Sequence, residues 1–157
     1  MRIGHVKVNG TIASRSSFCG ERGNSTRGVN IHMLDPSTCR VWLLNHFDTH
    51  RKPEDSDRLN AYLTHRLTHG DVIIGVVYDE AMRLMNEEPK NTLLDQYGVN
   101  IHDLQYGGSF AFVAQKGFQS KAMLQKDNRG RFGNAHPANL FVATYTTGKH
   151  LVLRCRS

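Results

Sequence analysis

Apolar and polar positions alternate with a period of two over several short stretches, and the period lengthens to helical spacing in the middle of the chain. Residues 3–13 alternate through Ile3, Val6, Val8 and Ile12, which predicts one or two edge strands. Residues 14–27 are rich in Ser, Gly and Arg and predict a long loop. Val29, Ile31 and Met33 then share one face of a strand over 29–34. Asp35-Pro36-Ser37-Thr38 reads as a turn, because Pro36 presets φ and Asp35 can bond the backbone ahead. Residues 41–47 return from that turn, so 29–47 predicts a β-hairpin.

Glu54, Asp55 and Asp57 open an amphipathic segment in which Leu59, Tyr62, Leu63 and Leu67 recur at helical spacing, with Gly70 closing it. The β-branched run 72–78 predicts a central strand. A second helix is expected over 81–86, a further helical stretch over 91–96 after Pro89, and a stop at Gly98. A short strand over 101–106, a tight bend at Gly107-Gly108 and an alternating strand over 109–116 follow. Residues 126–139 read as a polar loop, and 140–145 with 150–154 as a closing hairpin. The order is β-rich with interior helices. It predicts an α+β fold: an antiparallel β-sandwich of two sheets with two or three helices packed outside.

Bulk properties narrow the function classes. A chain of 157 residues with 39% hydrophobic content fits one domain, 1–157, with a single core. The net charge is +6, yet the cations are scattered, without an aromatic-interleaved stripe or recognition-helix motif, which argues against nucleic acid as a partner. No apolar run reaches the length needed to span a membrane. The first residues do not form a signal peptide, so the reading is a mature chain or one not exported by the usual route. Cys19, Cys39 and Cys155 fit either three reduced thiols or one internal bridge plus one cysteine that pairs between chains. Two Asn-x-Thr/Ser sequons, at Asn9 and Asn24, are compatible with export.

Four segments in order carry a family resemblance: Arg27-Gly28-Val29-Asn30-Ile31, Phe47-Asp48-Thr49-His50, Val76-Val77-Tyr78-Asp79-Glu80-Ala81, and Phe110-Ala111-Phe112-Val113-Ala114-Gln115-Lys116-Gly117. Together they resemble the GG domain, also called the ILEI/PANDER domain, over about residues 27–121. The resemblance implies an extracellular ligand-binding domain. Such domains occur in secreted cytokine-like factors, in hyaluronan-related cell-surface proteins, in the stem of an O-mannose glycan glycosyltransferase, and in a cnidarian galactose-binding lectin. Two departures stand out: Gly107 and Gly108 occupy positions where the family often carries Arg or Asp, and Cys39 looks unlike the family. The cysteines that join the family's terminal regions match Cys19 and Cys155 in rough position.

The candidate ligand-binding residues are Asp48, His50, Asp79, Glu80 and Tyr106 at strand ends, and Asp127, Asn128, Asn134 and His136 in a polar loop that also carries Phe132. If the strands are neighbours, their ends meet at one rim, where carboxylates and a His could bind polyols. Asp79, Glu80 and Asp127 are the candidate ligands for calcium (Ca2+), a hard cation that takes oxygen donors. The plainer reading is that Asp79 and Glu80 cap a helix and Asp48 satisfies turn amides. His65 and His69, four apart, fit an exposed pair on a helix, and Glu87-Glu88-Pro89-Lys90-Asn91 only superficially matches a lectin calcium loop.

No nucleophile elbow, dinucleotide fingerprint or phosphate loop is present, so the expectation is a non-enzyme. The resemblance implies a secreted lectin for galactose-type glycans; the carboxylates make calcium a candidate cofactor, and the odd cysteine offers a disulfide-linked homodimer as a way to gain avidity. The alternative is a secreted cytokine-like signalling factor of the ILEI/PANDER type.

Overall fold

The computed structural model describes residues 3–8, 11–17, 27–35, 38, 40–119, 121–126, 142–147 and 150–155; for 3–8, 11–17, 41–44, 122, 124, 126, 142–147 and 150–155 it describes the backbone alone. In chain order the elements are β1 (Ile3–Val8), β2 (Thr11–Ser17), β3 (Gly28–Asp35), β4 (Arg40–Phe47), α1 (Glu54–Ala61), β5 (Val72–Tyr78), α2 (Glu87–Tyr97), β6 (Ser109–Gln115), β7 (Lys121–Lys126), β8 (Val142–Thr147) and β9 (His150–Cys155). Five of the strands form one antiparallel sheet in the order β4-β3-β5-β6-β7. β1-β2 and β8-β9 are separate two-stranded ribbons. The class is therefore α+β and antiparallel, as the pattern predicts. Among the described residues the framework is this one five-stranded sheet, with the helices packed on one of its faces.

The period-two pattern explains which face of the sheet is apolar. Register aligns Val29, Val77 and Phe110 in one row across the sheet, Ile31, Gly75 and Phe112 in the next, and Met33, Ile73 and Ala114 in a third. Both helices close over this face: Leu59, Leu63, Leu93 and Tyr97 join the same buried cluster, with Val99, Ile101 and Leu104 from the following loop. Each large side chain so buried contributes about 1.5–3 kcal/mol. Gly75 leaves the space that Phe112 fills, since a Cβ at Gly75 would lie 2.1 Å from the Phe112 ring.

The opposite face is also shielded, and it carries polar groups: Asn30 and the 3%-exposed His32 of β3. Burial pushes the His32 pKa below its ordinary 6.5, and a hydrogen bond with the Ile74 backbone acts the other way. The native group thus holds its proton less tightly than the unfolded chain does. Its contribution to stability is complete above about pH 6.5 and is lost as the pH falls below that value, because the unfolded state takes up the proton first. Thermal melts should drop more steeply on acidification for the native protein than for His32→Gln. Parallel pH profiles would remove His32 from this role.

Several local differences from the sequence pattern have identifiable causes. α1 does not run regularly to Gly70; it continues as a π-helical stretch, Tyr62–Arg66, and Leu67 is already extended. His69 therefore leaves the helix and packs its ring 5.0 Å from that of Phe118, so His65 and His69 do not form a helical pair. Residues 81–86 are not helical, because the Leu84 amide bonds the Thr49 carbonyl and the Asn86 amide bonds Ser56 Oγ. α2 instead starts at Glu87, with Asn86 as its N-cap accepting from the Glu88 amide at 3.2 Å. Pro89 sits in the first turn, where its missing N–H is harmless. Residues 101–106 form turns, not a strand, closed by Leu104 N–H to the Ile101 carbonyl. β7 has no counterpart in the sequence reading; it supplies an edge of the sheet.

The far end of β6 holds the helices in place. Lys116, 9% exposed, donates from Nζ to the carbonyls of Leu63 at 2.8 Å, Thr64 at 2.8 Å and Leu67 at 2.6 Å. Tyr97 Oη donates to the same Leu63 carbonyl at 2.7 Å. A helix end leaves its last carbonyls without intrahelical donors, and here one ammonium supplies three. Burial lowers the Lys116 pKa, and the Asp71 carboxylate opposes that shift.

Candidate functional site

β4 and β5 both run antiparallel to β3, so both end at the edge of the sheet where β3 and β6 begin. That topology brings Asp48-Thr49-His50, Asp79-Glu80 and the loop 105–108 to one rim. Five of the sequence candidates, Asp48, His50, Asp79, Glu80 and Tyr106, thus stand at one end of the sheet. Asp127, Asn128, Asn134 and His136 lie outside the described residues, as do Cys19 and Cys39; Cys155 is placed in β9 by its backbone.

Glu80 is the centre of the rim. It is 3% exposed, and its carboxylate accepts from three donors: His50 Nδ1 at 2.7 Å, the Met82 amide and the Arg83 amide. An ionised carboxylate only accepts, so these bonds satisfy a charge that burial would otherwise penalise. The two loops are joined twice more, by Thr49 Oγ1 donating to the Ala81 carbonyl at 2.7 Å and by the Leu84 amide donating to the Thr49 carbonyl at 2.9 Å.

Asp48 turns inward. Its carboxylate accepts from the Arg51 amide at 3.2 Å, and its own amide donates to Asp55 Oδ2 at 2.7 Å. Asp55 in turn accepts from the Arg58 guanidinium. Asp79 holds φ at +61°, with the Glu80 amide donating to the Tyr78 carbonyl at 2.8 Å across it. This is a γ-turn with a left-handed centre, a rare and strained form. The Asp79 carboxylate pairs with Arg27 Nε at 3.0 Å, tying the entry of β3 to the exit of β5.

The carboxylates therefore face the protein, and other groups face outward. Tyr106 is 61% exposed, with its ring centroid 6.1 Å from that of His50. Arg51, Lys52 and Arg83 are exposed beside them in sequence. Among the described residues no three His, Cys, Asp or Glu side chains come together to hold a metal ion. Of the expected calcium set, Asp79 is paired with Arg27 and Glu80 with His50. Sequence reasoning missed Arg27, Thr49 and Asp55 as parts of the rim. Arg27 was visible within the Arg-Gly-Val-Asn segment, while Asp55 looked like one more acid of a helix first turn.

The four segments of the family resemblance now have physical roles. Three of them, around Arg27, Asp48 and Asp79, build the rim, and the fourth carries β6 from the rim to the Lys116 cap. The profile of the family described as Interleukin-like EMT inducer matches residues 27–118. The chain belongs to this family, ILEI. Among curated proteins it is 35% identical over 92 residues to the cell surface hyaluronidase of Danio rerio, a match covering 58% of this chain and 7% of that protein. It is 27% identical over 103 residues to the human cell migration-inducing and hyaluronan-binding protein, covering 66% of this chain and 8% of that one. It is 25% identical over 107 residues to protein FAM3C of Danio rerio, covering 68% of this chain and 46% of that one. The chain thus spans under half the length of each of these relatives.

Proposed function

We propose that this chain is an extracellular, cytokine-like factor that acts by contact with a cell-surface partner and carries out no reaction of its own. The observation that carries this reading is the match to a family described as interleukin-like across residues 27–118, the stretch that contains the whole rim. The rim supports a binding role: its acidic groups are spent on internal bonds, and Tyr106, Arg51 and Lys52 are exposed on its loops. Tyr and Arg are the residue types that most often anchor protein contacts. No helix among the described residues is long and apolar enough to cross a membrane.

Labelled protein applied to cultured cells should bind saturably and be displaced by unlabelled protein. Binding that never saturates would overturn the signalling reading.

A second reading, a glycan ligand, draws support from two matched relatives whose names refer to hyaluronan. Enzymatic removal of cell-surface hyaluronan separates the two: loss of binding favours the glycan, and unchanged binding favours a protein receptor. A galactose-type ligand is a finer proposal that rests on the sequence resemblance; bound calcium rests on the acidic candidates Asp79, Glu80 and Asp127, and a disulfide-linked homodimer on the odd number of cysteines. Non-reducing gels test the last of these, since a monomer with and without reductant removes the bridge.

A further inference from the structure

We infer that His50 and Tyr106 form a two-point contact for a pyranose ring, with Glu80 acting as a positioning residue that does not touch the sugar. The inference rests on the glycan reading above and narrows it to two side chains and no metal.

Glu80 orients the His50 ring. Its buried carboxylate already accepts from the Met82 and Arg83 amides, and it can only accept from His50 as well. The Nδ1 proton of His50 therefore points at Glu80, and in the neutral ring this tautomer leaves the Nε2 lone pair for a hydrogen-bond donor. Among the described residues nothing bonds Nε2. The side chain is recessed, with 12% of its surface exposed. A small hydroxyl can reach into such a notch, whereas a broad protein surface meets the neighbouring Tyr106 first.

Tyr106 supplies the second point. It is the most exposed large apolar side chain among the described residues, and it stands against the His50 ring. The loop that carries it is closed by the Gly108 amide donating to the Gln105 carbonyl at 2.9 Å. A Cβ at Gly108 would come within 2.6 Å of Leu104, so the bend is packed down onto the core. A ring held on a packed bend loses little freedom when a ligand stacks on it. A pyranose has an apolar C–H face and a rim of hydroxyl donors, which matches an aromatic platform beside a fixed acceptor. Glu80 and Asp79 are consumed by His50, by amides and by Arg27, so the contact needs no cation bridge.

The test uses NMR on the intact chain with methyl β-galactoside, N-acetylglucosamine and glucuronate as probes. Long-range proton–nitrogen spectra should show His50 with its proton on Nδ1. At high millimolar concentration at least one probe should shift the His50 and Tyr106 ring signals saturably, with chelator present. Tyr106→Ala, on the surface and harmless to folding, should abolish those shifts. Glu80→Gln should weaken binding about tenfold through a misoriented His50. A proton found on Nε2, or probe binding that survives Tyr106→Ala, would sink the two-point contact while leaving a glycan ligand in place. No response to any probe, together with cell binding indifferent to glycan removal, would sink the glycan reading itself.

Discussion

Gly28→Ala is expected to destabilise the protein by roughly 3 kcal/mol or more, the sum of backbone strain and a collision. Gly28 has φ at +98°, a region where a side chain costs about 1–2 kcal/mol. A Cβ there would also lie 2.1 Å from the Phe47 carbonyl oxygen, and that oxygen is backbone inside the β3–β4 pair. It can move only by spreading the two strands. Gly70 provides the control. Its φ is +93°, nearly the same, but nothing lies within 4 Å of its Cβ position. Gly70→Ala should therefore show the strain alone, about 1–2 kcal/mol. Urea denaturation of both variants, compared at unchanged m, isolates the collision as their difference. Equal losses would mean that β3 and β4 part easily at this point and that the rim is less constrained than its bonds indicate.

Lys116→Met should cost about 3 kcal/mol. The apolar chain of Met fills much of the same channel, so the loss is mainly that of the ammonium donors. The Leu63 carbonyl keeps Tyr97 Oη, but the carbonyls of Thr64 and Leu67 lose the bonds made by Nζ. Each buried acceptor left without a donor costs about 1–3 kcal/mol. Thermal unfolding gives the total. Hydrogen exchange gives the location: the Leu67 amide, bonded to the Tyr62 carbonyl across the π-helical stretch, should lose protection before the central strands do. A variant within about 0.5 kcal/mol of the native protein would show that water replaces the ammonium without penalty.

These two positions also show what the amino-acid pattern could and could not convey. The alternation at Val29, Ile31 and Met33 predicts the apolar face of β3 directly, because a strand exposes its period to one neighbour layer. The run 72–78 correctly predicts the central strand for the same reason. The pattern gave no hint of the π-helical stretch. Leu59, Leu63 and Leu67 are spaced as in a regular helix, whereas in the fold the carbonyls of this stretch are bonded by Lys116, far along the chain. Residues 81–86 look helical by composition, yet their amides are claimed by Thr49 and Ser56, partners that only tertiary folding supplies. At the rim, the convergence of Asp48, His50, Asp79, Glu80 and Tyr106 was legible from strand ends. Which carboxylates face inward was not, since it depends on hydrogen bonds between loops distant in sequence. Here the plainer reading of Asp48 as a turn former matches the geometry.

The division of labour at Glu80 has a consequence for how such a domain diversifies. One internal carboxylate fixes both loops, and the side chains pointing away from it take no part in that fixing. Arg51, Lys52, Arg83 and Tyr106 can therefore be exchanged one at a time without unsettling the frame beneath them. A lineage built on this arrangement can acquire a new recognition preference through single surface replacements while keeping the same skeleton.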